Sequence, residues 1–329
     1  MAIPRGLFRR TLPLSRDHAR PGGILALKPS RAALAAGFAT LYFVWGSTYL
    51  AIRIAVASIP PFTLSGLRFV AAGATLLLWR RLRGGIPFPS PRQWLGAASV
   101  GICLVTLSNV SVVTAEQTLP SGVVALFASG TPLLIALLNR RRTGTPLGRR
   151  RGIGLALGTV GMVLLAGAMF SAVHRVTPIL LMALASCAWA TGSTYGRGWG
   201  SPPDLLMASA AQMLVGGAMA LVAAHLANDV AVIHANGIPL RSLVAWGYLA
   251  VFGSLLAYPV FQWLLSVADP TAVVSYTYVN PIVALLLGTF LGHEVLSLRT
   301  MLATMVLIPA VVLVVTGESR KEAAAPAEE

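Results

Sequence analysis

Four residues of the first apolar run share a helical face: Tyr42, Trp45, Tyr49 and Arg53, at i, i+3, i+7 and i+11. Aromatic rings followed by a cation, in a segment otherwise fit for lipid, suggest the wall of a cavity with a charge at its mouth. Interhelical packing with Arg53 snorkelling to the interface is the alternative, and both stay open. Arg68 is the second cation inside an apolar run. Arg53 lies seven residues before Pro60 and Arg68 seven after Pro61, so a hairpin there puts both at similar depth, roughly 10 Å below the turn. A guanidinium at that depth needs an anion, water or backbone carbonyls. Glu116 and Glu294 are the nearest acids. Arg68 either pairs with one of them or meets a substrate carboxylate.

A later run is unusually polar: Ser275, Tyr276, Thr277, Tyr278 and Asn280, with Pro281 freeing a carbonyl one turn back. Tyr276 and Asn280 share a face. Polar side chains and freed backbone at membrane depth fit a water-lined cavity, or hydrogen bonds between helices. Asn109 and Gln212 are weaker candidates of the same kind. For proton coupling, Glu116 is the first candidate and Glu294, beside His293, the second; exposed or salt-bridged acids are the competing account. No P-loop, Gly-x-Ser-x-Gly elbow or metal cluster stands out. His293-Glu294 opens a zincin-like pair, but Leu298 occupies the place of the second histidine. Neither a cofactor nor a metal is expected.

The elements that must position these residues follow from composition. Of 329 residues, 56% are hydrophobic and 11% charged, and mean hydropathy is +0.76. Typical soluble domains carry about 25% charged residues, so this chain could not cover a soluble surface. Cys103 and Cys187 lie in apolar runs, which argues against a disulfide framework. An all-α membrane protein remains. Ten runs are long enough to span a bilayer: Ala33–Val56, Phe62–Trp79, Trp94–Val113, Leu119–Leu138, Ile153–Phe170, Pro178–Tyr195, Leu205–Leu226, Leu243–Val267, Thr271–Leu291 and Leu298–Thr316. The short loops leave no room for a soluble catalytic domain.

All but five of the 25 Lys and Arg residues fall on one side of this topology. The exceptions are Arg53 and Arg68 within spans, and Arg175, Arg241 and Arg299 opposite. By the positive-inside rule both termini are cytoplasmic. The basic excess is then a topology signal, and nucleic acid is not an expected partner. Residues 1–32 form a basic tail and 318–329 a short polar one.

The halves 33–170 and 175–317 echo each other. Trp45 and Trp189, Arg53 and Arg197, and Arg68 and Gln212 are each 144 positions apart. Gly-Ser-Thr-Tyr occurs at Gly46–Tyr49 and at Gly192–Tyr195. Thr131-Pro132 corresponds to Asn280-Pro281. Five spans per half is odd, so the halves are expected to be inverted in the membrane, an architecture of secondary transporters. Inversion places Arg53 and Arg197 at opposite mouths of one pathway, as candidate gates.

The sequence resembles the EamA-type branch of the drug/metabolite transporter superfamily. The resemblance is carried by Trp45-Gly46-Ser47-Thr48-Tyr49, Leu67-Arg68-Phe69, Ala115-Glu116 with Pro120-Ser121-Gly122, Tyr276 to Pro281, and Leu291-Gly292-His293-Glu294. It covers about Ala33 to Gly317 and is closest to bacterial inner-membrane exporters of metabolites or amino acids. It implies ten helices in two inverted five-helix repeats, a small-molecule substrate, export by alternating access, and no enzymatic activity. The long basic tail departs from the family pattern. A membrane-embedded enzyme or a scaffold protein is the rival function. The expected substrate-binding set is Trp45, Tyr49, Arg68, Trp189, Gln212, Tyr276 and Asn280; the expected partners are that substrate and the lipid bilayer, with a homodimer left open.

Overall fold

The computed structural model describes residues 29–84, 86–144, 148–173, 175–229, 231, 233, 237–268, 273–295 and 297–316. Among them the chain is helical throughout. We number the helical rods α1 (Arg31–Val56), α2 (Pro61–Gly84), α3 (Pro91–Ala115), α4 (Ser121–Thr143), α5 (Arg149–Val173), α6 (Thr177–Tyr195), α7 (Leu205–Leu226), α8 (Leu240–Val267), α9 (Tyr276–Phe290) and α10 (Leu298–Thr316). Six of them, α1 to α4, α7 and α8, are long and apolar enough to cross a membrane. Several outrun the apolar stretch read from sequence. α2 continues through Arg80 to Gly84, and α4 through Arg140 to Thr143, because helix costs nothing extra once the arginines reach the interface.

The starts are written locally in some rods and supplied from elsewhere in others. Ser90 and Gln93 form a capping box ahead of Pro91. Asp204 caps α7 by accepting from the Met207 amide at 2.9 Å. α2 and α4 borrow their caps: Asp229 accepts from the Thr63 amide and hydroxyl, and Glu294 accepts from the Ser121 and Gly122 amides at 2.8 and 3.3 Å. These donors sit at the amino ends of helices, where a carboxylate is stabilised by unpaired N–H groups.

Three rods loosen into π-helical stretches, Thr40–Trp45 in α1, Ile102–Asn109 in α3 and Leu249–Leu256 in α8. α4 breaks at Ser129-Gly130, ahead of Thr131-Pro132. Such interruptions release carbonyls that other groups must satisfy. α2 packs along α7 and α5 along α10; α1 leans on α8, and α6 on α3. α3 meets α7 where a Cβ on Gly101 would collide with the Gln212 carbonyl oxygen, and one on Gly216 with the Gly101 carbonyl. Only glycine permits that approach. Gly154 and Gly161 of α5 likewise lie against α10, as close packing requires.

Candidate functional site

The three π stretches and the α4 break converge on one central cavity of about 140 Å³. Trp45 and Tyr49 reach it from α1, Arg68 from α2, Asn109 from α3, Trp189 from α6, and Tyr276 and Asn280 from α9. Six of the seven residues expected to bind substrate are therefore brought together. Asn109 joins them, as does Tyr258, which sequence reasoning missed. Gln212 does not line this cavity; it lines a second recess of about 380 Å³ between α3, α6, α7 and α8.

The cavity's aromatic side is a four-ring cluster. Trp45 sits 5.1 Å from both Phe261 and Tyr276 and 5.9 Å from Trp189, ring centre to ring centre. Edge-to-face geometry recurs in the cluster, which suits the ring quadrupoles. Phe261 lines the recess beyond, while the other three rings line the cavity, so this layer lies between the two spaces. The polar end of Trp45 is engaged: its Nε1 donates to the Gly253 carbonyl at 3.3 Å, within the π stretch of α8. With its amide nitrogen as donor, Asn280 reaches the carbonyls of Leu41 and Tyr42 at 3.2 and 3.1 Å. The ninth run's polarity thus does both things expected of it: it faces a cavity, and it satisfies backbone in a neighbouring helix. Tyr42 turns away, its hydroxyl 2.6 Å from Ser275 Oγ. The Tyr278 side chain lies outside the described residues.

Arg68 marks the other end. It is 4% exposed. Its Nε donates to Ser254 Oγ at 3.0 Å, and its guanidinium carbon lies 4.4 Å from the centre of the Phe69 ring. Nη1 is buried without a hydrogen-bond partner. Neither acid considered for Arg68 forms an ion pair with it. Glu294 is committed to the α4 amides, and both carboxyl oxygens of Glu116 are buried without partners. Burial and the nearby Glu294 charge push the Glu116 carboxyl well above its usual range, against the pull of Arg53 and Arg68. Arg53 donates to the Glu116 main-chain carbonyl, closing the end of α3. Arg197 falls in the 3₁₀ turn Gly196–Trp199 that ends α6; its side chain lies outside the described residues.

Gln212, the repeat counterpart of Arg68, is fully engaged at its carbonyl. Tyr258 donates to Gln212 Oε1 at 2.7 Å and Gln262 at 3.1 Å. The sequence held a signal for this group: Tyr258, Phe261 and Gln262 occupy one face of α8 at i, i+3 and i+4.

The described residues form a bundle of apolar helices, broken where it surrounds a small internal cavity. The chain belongs to the EamA-like transporter family, whose pattern matches residues 33–167 and again 176–316. It is 39% identical to the uncharacterized inner membrane transporter YedA of Escherichia coli K12, across 84% of this chain and 89% of that protein. It is 28% identical to the protein PecM of Dickeya dadantii, across 87% and 94%, and 25% identical to the uncharacterized transporter YvbV of Bacillus subtilis, across 91% and 96%. One crystal structure matches with a TM-score of 0.59 at 21% identity, covering 87% of this chain and 98% of that one, a likeness of fold. The chain is a transporter, within the drug/metabolite superfamily, and not an enzyme.

Proposed function

We propose that the chain is a secondary transporter of the bacterial inner membrane that exports a small amphipathic metabolite by alternating access. The observation that carries this is the central cavity: aromatic on one side, with a single buried guanidinium at the other end. Its volume of about 140 Å³ is below the ~300–1,000 Å³ of drug-sized sites, which favours a metabolite of amino-acid size. Trp45, Tyr49, Trp189, Tyr276 and Asn280 give the pocket its shape and Arg68 its charge preference; Gln212 belongs to the recess on the far side of the aromatic layer. The inner-membrane location rests on the names of the relatives and on the apolar helices.

The finer architecture we propose is ten spans in two inverted five-helix repeats, 33–170 and 175–317, with both termini in the cytoplasm. Several features support it. The family pattern matches twice. The π stretches of α3 and α8 are each eight residues long at corresponding positions. The packing pairs also map onto one another when the halves are exchanged, α1 on α8 becoming α6 on α3. In that orientation the Gln212 recess opens toward the cytoplasm and the aromatic layer is its closed gate. Arg53 and Arg197 stand at opposite mouths, and Glu116 rather than Glu294 titrates during the cycle. With Cys103 and Cys187 replaced, single cysteines within residues 140–151 should label only from the cytoplasm, and those at 229–236 only from outside. The reverse pattern removes the inversion.

A further inference from the structure

We propose, resting on the transporter reading above, that Arg68 and Glu116 form one linked anion–proton site: a monocarboxylate binds the Arg68 guanidinium as Glu116 takes up a proton, and the acid crosses as an electroneutral pair. A guanidinium keeps its charge at any ordinary pH. Arg68 is buried and held by Ser254 and the Phe69 ring, and its Nη1 lies without a partner in a residue that lines the cavity. A buried cation with an unused donor is a receptor for an oxyanion.

Four charged groups and one phenol act on one another here. Tyr49 and Arg53 come from α1, Arg68 from α2, Glu116 from the turn after α3, and Glu294 from the turn before α10. Arg53, only part-buried, donates to a main-chain carbonyl, and Glu294 is spent on the α4 amides. Arg68 and Glu116 are left, each buried and each with unpartnered polar atoms. With both acids ionised the four charges sum to zero. A substrate carboxylate arriving on Arg68 would leave one negative charge in excess in a low-dielectric interior, and one proton from solvent on Glu116 restores neutrality. Anion and proton therefore favour each other's binding, and the linkage is reciprocal. Arg68 is the only charged residue lining the cavity among those described. A single cation beside aromatic walls suits a monoanion with an apolar body; a phosphate dianion would need a second cation.

The test uses the purified full chain with phenylacetate and its neutral isostere phenylacetamide. Phenylacetate should raise the Tm and the amide should not. Affinity for phenylacetate should fall about tenfold per pH unit once Glu116 ionises, and over that same pH range binding should take up about one proton, read with a pH indicator in weak buffer. Glu116→Gln should still bind phenylacetate, with no proton uptake and a flat pH profile. Arg68→Gln should lose the Tm shift. Equal binding of the amide, binding of phenylacetate without proton uptake, or no Tm shift across a series of two- to nine-carbon monocarboxylates overturns the linked site. Proteoliposomes separate this failure from that of the transporter reading. Linked binding with no exchange of labelled phenylacetate above the leak of protein-free vesicles sinks transport and leaves the site standing. Exchange of neutral solutes with rejection of acids sinks the site and leaves transport standing.

Discussion

Arg68 of α2 and Gln212 of α7 hold corresponding places in the two halves of the sequence and sit on helices packed against each other. Their surroundings differ in kind. The Gln212 side-chain carbonyl is satisfied twice, by Tyr258 and Gln262, and Gln212 lines the recess rather than the cavity. Arg68 has a buried donor unspent and lines the cavity. A polar group whose bonds are complete holds structure together, whereas one whose bonds are incomplete stores affinity for something else. Of two polar residues 144 positions apart, one is thus spent as a clasp and the other keeps a donor free.

The sharpest way to test that contrast is to make the two positions alike. Arg68→Gln removes a charge-assisted bond of ~2–3 kcal/mol, so carboxylate binding and flux should fall roughly 30- to 150-fold. The Tm should hold or rise, since a buried unpaired charge is lost. Arg68→Lys should lose less, because a point charge replaces a fork. Tm and proteoliposome flux measured together decide it; a collapse in Tm would mean Arg68 is structural.

Gly101→Val attacks the clasp from behind. Its side chain would strike the Gln212 main-chain carbonyl, and a cost of ~2–3 kcal/mol is expected for overpacking of this kind. A lowered Tm in detergent is the readout, and an unchanged one would show that α3 and α7 can part freely.

Gln212→Leu should cost ~1–2 kcal/mol by leaving the Tyr258 hydroxyl and the Gln262 amide without their acceptor. Carboxylate binding should change less than about threefold, because no bond to Arg68 is touched. Binding lost as severely as in Arg68→Gln would erase the distinction between clasp and receptor.

The smallest effect belongs to Arg80–Asp204, an ion pair at 2.7 Å that lines neither space, its side chains 26% and 23% exposed. Burial pushes the Asp204 carboxyl up, but the Arg80 and Met207 hydrogen bonds outweigh it and hold it below its usual range. A depressed carboxyl lends stability above its unfolded pKa and loses it as pH falls through the folded value. Asp204→Asn should therefore cost under ~1 kcal/mol at neutral pH. The Tm gap to the wild type should close below about pH 4; a gap that persists in acid would assign the effect to capping of α7 alone.

Much of the fold was legible because lipid leaves the backbone few choices. A helix must satisfy itself, so runs such as Leu205–Leu226 appear in sequence and structure with the same ends. Trp45, Tyr49, Tyr276 and Asn280 were legible as cavity residues because aromatic and amide groups stand out against an aliphatic background. The place of Phe261 in the ring cluster was not, since one phenylalanine in an apolar helix looks like any other. Gln212 lies in the neighbouring recess and not in the cavity, because a matching sequence position does not bring matching neighbours.

Residue types and spacing determined, by themselves, an all-helical membrane chain, two related halves, and the short list of polar groups too costly to face lipid. The tertiary structure alone decided which of those groups are spent. Glu294 became a helix cap, Arg53 closed the end of α3, and Gln212 joined Tyr258, while Arg68 and Glu116 were left without partners for their remaining polar atoms. That division depends on angstrom-scale distances between residues far apart in the chain, and hydrogen bonding falls away too steeply with distance for spacing in sequence to encode it.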